Sequence, residues 1–200
     1  MNEPAPDKVA RLRQALEDYH SGEYAQSGGG LFDREAEEAK SKVRSRALKI
    51  LNQRARSRQE LSDRLIAAEF EPAVVEEVVD DLERVDLLDD EKFAREWVRQ
   101  RHQRRGKSRA ILDKELVDKG VAASIRQEAL ETISPDDEQA MARAVALKKV
   151  KTIRKAPADR KEYDKLLRRV VGAMARRGFP EGMGFAIAKE ALEQRLEEIR

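Results

Sequence analysis

Cysteine is absent from the 200-residue chain, so neither a disulfide framework nor a thiolate metal site is available to it, which is compatible with a reducing compartment. Aromatic residues make up 4%, with Trp97 the one tryptophan. That leaves little material for a thick globular core, or for the interleaved stacking rings with which proteins grip single-stranded nucleic acid. Of the two histidines, His20 lies in the glycine-broken leader and His102 in a basic helix end, so neither has a plausible acid and nucleophile around it; both read as solvated side chains, which argues against triad chemistry. No apolar run approaches the length of a membrane span, and charges run through the first 18 residues where a signal peptide needs an apolar core. These absences point to a monomeric, cytoplasmic protein built from thin helical layers, with no catalytic residue, cofactor or metal.

Charge is abundant instead, at 40% of residues, with 41 Lys and Arg against 39 Asp and Glu. The balance is uneven: net charge is −4 over 1–40 and −2 over 41–89, then +3 over 90–133 and +5 over 134–200. An acidic front half joined to a basic back half favours an oriented encounter with a polyanion or an acidic protein surface. Solvation of a helix face explains any single one of these charges equally well.

From Asp33 onward the apolar residues recur at helical spacing. Val43, Ala47, Ile50 and Leu51 mark a helix expected to end near Ala55. Ser57 with Glu60 is a capping-box pattern that opens a second helix, presenting Leu61, Leu65 and Ile66. Phe70-Glu71-Pro72 ends it. Pro72 suits the first position of a third helix, with Phe70 stapled onto Val75 and a stripe of Val74, Val78, Val79 and Leu82. The most regular stretch is 90–121, where Phe93, Ala94, Trp97 and Val98 share one stripe and Arg99, Arg101, Arg104 and Arg105 lead into Gly106. Ser108 then opens a helix carrying Ile111, Leu112, Leu116 and Val117, closed by Lys119-Gly120-Val121.

This unit recurs. A shift of 47 carries Ala47, Ile50 and Leu51 onto Ala94, Trp97 and Val98, and a further 47 onto Met141, Ala144 and Val145. A shift of 51 matches Ser57 to Ser108, Leu61 to Leu112, Leu65 to Leu116 and Phe70 to Val121; a further 58 reaches Val170, Met174, Gly178-Phe179 and Met183, with the extra length in 155–161 around Pro157. The expected architecture is all-α. An acidic, mostly disordered leader over 1–41 ends in the start of a helix, and three tandem three-helix repeats follow over 42–86, 89–133 and 135–198. They stack as an elongated, curved solenoid-like array.

The same frames place Arg54, Arg56 and Arg58 on Arg105, Lys107 and Arg109. Packing accounts for recurring leucines but not for a recurring basic linker, so a shared surface role is expected of it. Gly106-Lys107-Ser108 ends like a phosphate loop, yet Arg101 stands where the earlier glycine belongs and an arginine-rich helix precedes it where a strand is needed. The pairs Asp80-Asp81 and Asp89-Asp90 fall at helix ends, where the macrodipole or solvent explains them as well as a metal would. Trp97 lies on the Phe93 stripe and reads as core.

The residues Asp90-Glu91-Lys92-Phe93-Ala94-Arg95-Glu96-Trp97-Val98, with Arg101, Arg105-Gly106-Lys107, Glu115-Leu116 and Lys119-Gly120-Val121, resemble the central signature of RecX, the bacterial regulatory protein that modulates the RecA recombinase. Ala47-Leu48 through Leu51, Ser57-Arg58, Glu60-Leu61 and Leu65 resemble that family's opening repeat. The resemblance implies a non-enzymatic regulator that lies along the RecA filament on single-stranded DNA and suppresses ATP hydrolysis, strand exchange and co-protease activity. On that reading Arg101, Arg104, Arg105, Lys107 and Arg109, with Arg168, Arg169, Arg176 and Arg177, form the surface that meets the filament or its phosphates, and contact with free DNA is weak and salt-sensitive. The alternative is an autonomous nucleic-acid-binding protein using its tandem three-helix modules on duplex DNA. Against it, no second or third helix gathers base-reading Asn, Gln and Arg on one face.

Overall fold

The computed structural model describes residues 34–199, so all but the last eight residues of the expected leader over 1–41 lie outside the described residues, and those eight are helical. Within them the secondary structure is helical, without a strand. Nine helices follow in order: α1 (Arg34–Leu51), α2 (Arg58–Ile66), α3 (Pro72–Arg84), α4 (Asp90–Arg105), α5 (Arg109–Val117), α6 (Ala123–Glu131), α7 (Pro135–Val150), α8 (Arg160–Ala175) and α9 (Glu181–Glu198). Among the described residues, extensive helix-on-helix packing occurs only within consecutive triplets, α1–α3, α4–α6 and α7–α9. Each triplet has its own core. The first centres on Val43, Ala47, Leu61, Leu65, Val78 and Val79, the second on Ala94, Val98, Leu112 and Leu116, and the third on Ala142, Ala146, Val170, Met174, Ala188 and Leu192. The result is a solenoid-like array of three small cores.

The helix starts follow local chemistry. Ser57, Asp89, Ser108, Ser134 and Asp159 each accept a backbone N–H three residues on, satisfying a donor that the first turn leaves free. Pro72 and Pro135 occupy first-turn positions where no donor is missed. Among the described residues only Ser134 and Asp137 form a reciprocal capping box. At Ser57 the box is half made, because the Glu60 carboxylate turns away to Arg54 and Lys119. Helix α1 stops at Leu51, before the expected Ala55. Ile66 and Val117, expected on buried stripes, sit at equivalent helix ends and are 44% and 50% exposed.

The third repeat obeys a different frame from the expected one. The buried residues of α7 are Ala142, Val145, Ala146 and Val150, while Ala144 is exposed. Ala94 and Val98 therefore correspond to Ala142 and Ala146, a shift of 48 rather than 47. Met141 and Val145 then stand where the middle copy has Phe93 and Trp97.

Adjacent triplets are joined by a repeated device. Helices α2, α5 and α8 all end in a left-handed residue, at Glu69 (φ 65), Gly120 (φ 70) and Gly178 (φ 78). The next residue, Phe70, Val121 or Phe179, donates back to the carbonyl of Leu65, Leu116 or Met174. The second of these turns seats on the start of α2, where the Lys119 carbonyl accepts from Ser57 Oγ at 2.7 Å. The third seats on the start of α5, where the Arg177 carbonyl accepts from Ser108 N at 2.9 Å. A Cβ on Gly120 would lie 2.5 Å from Gln59 Cβ, and one on Gly178 2.7 Å from Ser108 Oγ, so both positions need glycine for closeness as well as for φ. A carboxylate completes each joint: Asp90 accepts from Arg58 N and Glu138 from Arg109 N, both at 2.8 Å. That equivalence independently supports the shift of 48.

Candidate partner-binding cleft

Helix α4 ends in Arg104-Arg105, α7 carries Lys148-Lys149 in its last turn, and Arg176-Arg177 follow directly on α8. Cations at these positions oppose the partial negative charge of a helix C-terminus, which accounts for each pair taken alone. It does not account for their convergence. All six residues line one cleft of about 510 Å³, floored by Gly106, Met141, Ala144, Val145 and Ala173, and no carboxylate among the described residues lines it. Gly106 makes this possible: its left-handed φ of 62° ends α4, and a Cβ there would lie 2.7 Å from Val145 Cγ2. Arg177 spans the joint, donating from Nε to the Arg105 carbonyl at 3.2 Å.

Four residues expected on the contact surface, Arg104, Arg105, Arg176 and Arg177, thus share the cleft. Arg168 and Arg169 line a neighbouring hollow of about 930 Å³ with Lys155 and Lys165, and Arg169 approaches Thr152, on the first cleft's rim, at 3.5 Å. The other three are engaged within the fold. Arg101 lies 3.0 Å above the Trp97 ring and 3.4 Å from Glu115. Lys107 also pairs with Glu115, and Arg109 is half-buried, its backbone N–H donating to Glu138 at the joint. Lys148 and Lys149 were legible as cations but not as members of this surface; the shift of 48 would have aligned Lys149 with Arg101.

The first copy of the basic linker packs within its own repeat, whereas Arg105 of the second lines the cleft. Arg54 pairs with Glu60 at 3.0 Å, Arg56 is buried, and Arg58 gathers Glu76, Asp80 and Glu83 around its guanidinium. Those carboxylates, outweighing burial, hold the Arg58 pKa above its ordinary value. Trp97 is half-buried against the second core. Its ring lies under Arg101 and, at 4.4 Å, Lys119, while Nε1 donates to Glu115 at 3.1 Å. His102 is buried rather than solvated, donating from Nδ1 to the Lys107 carbonyl at 2.9 Å. The adjacent acids have structural partners: Asp80 meets Arg58, Asp81 meets Arg44 and Arg84, Asp89 caps α4 and Asp90 closes a joint. Among the described residues no group of three or more His, Cys, Asp or Glu is placed to hold a metal, and no helix is long and apolar enough to cross a membrane.

Two sequence-family models match, described as the first three-helix domain of RecX over residues 44–82 and the second over residues 89–130. The regulatory protein RecX of Corynebacterium efficiens is 58% identical over 193 residues, 96% of this chain and 92% of the relative. The chain belongs to the RecX family. RecX of Streptomyces lividans is 34% identical over 85% of the chain and 91% of its own length; RecX of Mycolicibacterium smegmatis is 34% identical over 95% and 96%. The crystal structure of RecX from Lactobacillus salivarius superposes with a TM-score of 0.63 at 22% identity, covering 78% of this chain and 98% of that one, which supports the fold. The cleft is formed by the matched second RecX domain together with the third triplet.

Proposed function

We propose that this RecX-family chain binds RecA and its filament on single-stranded DNA, and so inhibits ATP hydrolysis, strand exchange and co-protease activity, acting as a cytoplasmic monomer without chemistry of its own. The observation that carries the reading is the convergence of three basic pairs, from segments up to 72 residues apart, on one cleft without a carboxylate. Such a cleft focuses positive potential and steers an anionic surface into register. An array of small units suits a partner made of repeated subunits, because weak contacts on successive units add through effective concentration.

The test is RecA's DNA-dependent ATPase titrated with the protein and with the variant Arg104→Glu/Arg105→Glu/Arg176→Glu. All three side chains are exposed, so helicity should be unchanged while inhibition is lost. Inhibition at normal potency by the triple variant would remove the cleft from the mechanism. A gel-shift titration without RecA addresses the other reading: tight, sequence-dependent retention of duplex DNA would favour an autonomous nucleic-acid binder.

A further inference from the structure

Arg56 immediately precedes the Ser57 cap of α2 and is 6% exposed. Among the described residues its Nε and Nη1 are buried with no hydrogen-bond partner. A buried guanidinium without a partner is costly, and burial, followed by the neighbouring cations Arg54 and Arg64, pushes its pKa down. The one acid among the described residues that acts on it is engaged elsewhere: Glu60 pairs with Arg54 at 3.0 Å and with Lys119 at 2.5 Å.

The second repeat shows what is missing. A shift of 51 carries Arg56 onto Lys107 and Arg64 onto Glu115. In that repeat Glu115 neutralises Lys107 and also takes Arg101 and the Trp97 Nε1. In the first repeat the carboxylate is replaced by an exposed arginine, leaving Arg54, Arg56 and Arg64 with one fully committed acid among them. The comparison also specifies the ligand, since a single side-chain carboxylate is what the same scaffold holds there one repeat later.

We propose that Arg56 and Arg64, flanked by Arg54, form an acceptor site for one carboxylate of an acidic polypeptide segment. Two sources share that chemistry: the chain's own Glu17-Asp18, or an acidic segment of the partner. The second source deepens the function proposed above. The assay contains no recombinase, so failure of the site and failure of that reading are separable.

The experiment follows the Arg56 Nε–H resonance in the full chain, assigned through Arg56→Lys. Arg64→Glu puts the carboxylate of the second repeat into the first, and should shift the resonance and raise the urea midpoint; an unchanged resonance with an unchanged or lowered midpoint overturns the proposal. A capped peptide of alternating glutamate and alanine should shift the resonance saturably in the parent and not in Arg64→Glu. The Glu17→Gln/Asp18→Asn variant, titrated alongside, assigns the source. A resonance moved before any peptide is added, with tighter peptide binding, places the carboxylate in the chain itself; parent-like behaviour with saturable binding places it in the partner. No peptide response in either background, or an equal response in Arg64→Glu, overturns the proposal.

Discussion

Replacing Gly120 with alanine tests the joint between the first two repeats. The residue sits at φ 70, and a Cβ there would lie 2.5 Å from Gln59 Cβ and 2.8 Å from Gln59 Cγ. Left-handed backbone costs a residue with a Cβ about 1–2 kcal/mol, and forcing a methyl into a filled site costs about 1–3 kcal/mol. Together they predict a loss of roughly 3 kcal/mol. With a urea m-value of about 2 kcal/mol/M, the midpoint should fall by about 1.5 M. Trp97 is the one tryptophan and lies under Lys119 at the same joint, so its emission reads the transition directly. The control is Glu69→Ala, at the equivalent left-handed position (φ 65) of the first repeat, where the side chain is exposed and, among the described residues, no other triplet is seated against. It should change stability by less than about 0.5 kcal/mol. A Gly120→Ala midpoint within about 0.3 M of the parent, or no lower than that of Glu69→Ala, would refute the docked-turn account.

Glu69→Gly should raise stability by about 0.5 kcal/mol, the relief of left-handed strain partly offset by glycine's greater unfolded-state entropy; a lower urea midpoint would contradict this. Glu60 is held at about 2: burial would raise it, but Arg54 and Lys119 outweigh burial. A depressed carboxyl contributes stability above its unfolded pKa of about 4.3 and loses it as pH falls toward the folded value, so Glu60→Gln should flatten the stability profile between about pH 5 and 2, and a profile parallel to the parent's would count against the pairing. Arg101→Met should cost about 1–2 kcal/mol by urea denaturation and alter Trp97 emission, through loss of the ring contact and of Glu115, whereas Arg104→Met should leave both unchanged. Asp89→Ala removes the cap of α4, where Oδ1 accepts from Lys92 N at 2.8 Å, and should lower stability by about 1 kcal/mol.

The helices and their grouping were legible because they rest on local signals: Ser57 and Ser108 as caps, Pro72 at a first turn, and leucines at helical spacing. What could not be read depends on partners distant in sequence. Glu60 reads as half of a capping box until Lys119, 59 residues on, is seen to claim it. His102 reads as solvated and Arg56 as part of a surface linker because polar residues near a helix end usually face water, and only the packing of the folded repeats buries them. The frame of the third repeat slipped by one because Met141, Ala142, Val145 and Ala146 present two apolar registers, and the carboxylate at each joint distinguishes them. Of the cleft, Arg104, Arg105, Arg176 and Arg177 were marked as basic, but their sharing one hollow with Lys148 and Lys149 follows from how α7 and α8 pack against the end of α4.

The glutamate at position 69 also bears on how long such a protein can grow. A fourth unit grafted ahead of α1 would have to accept this turn onto the first helical residues of its own second helix, where a Cβ, let alone a carboxylate, finds no room. Anyone lengthening the array from that side must therefore begin by substituting glycine there, and a library of N-terminal fusions that retains Glu69 should yield beads on a string rather than a continued superhelix.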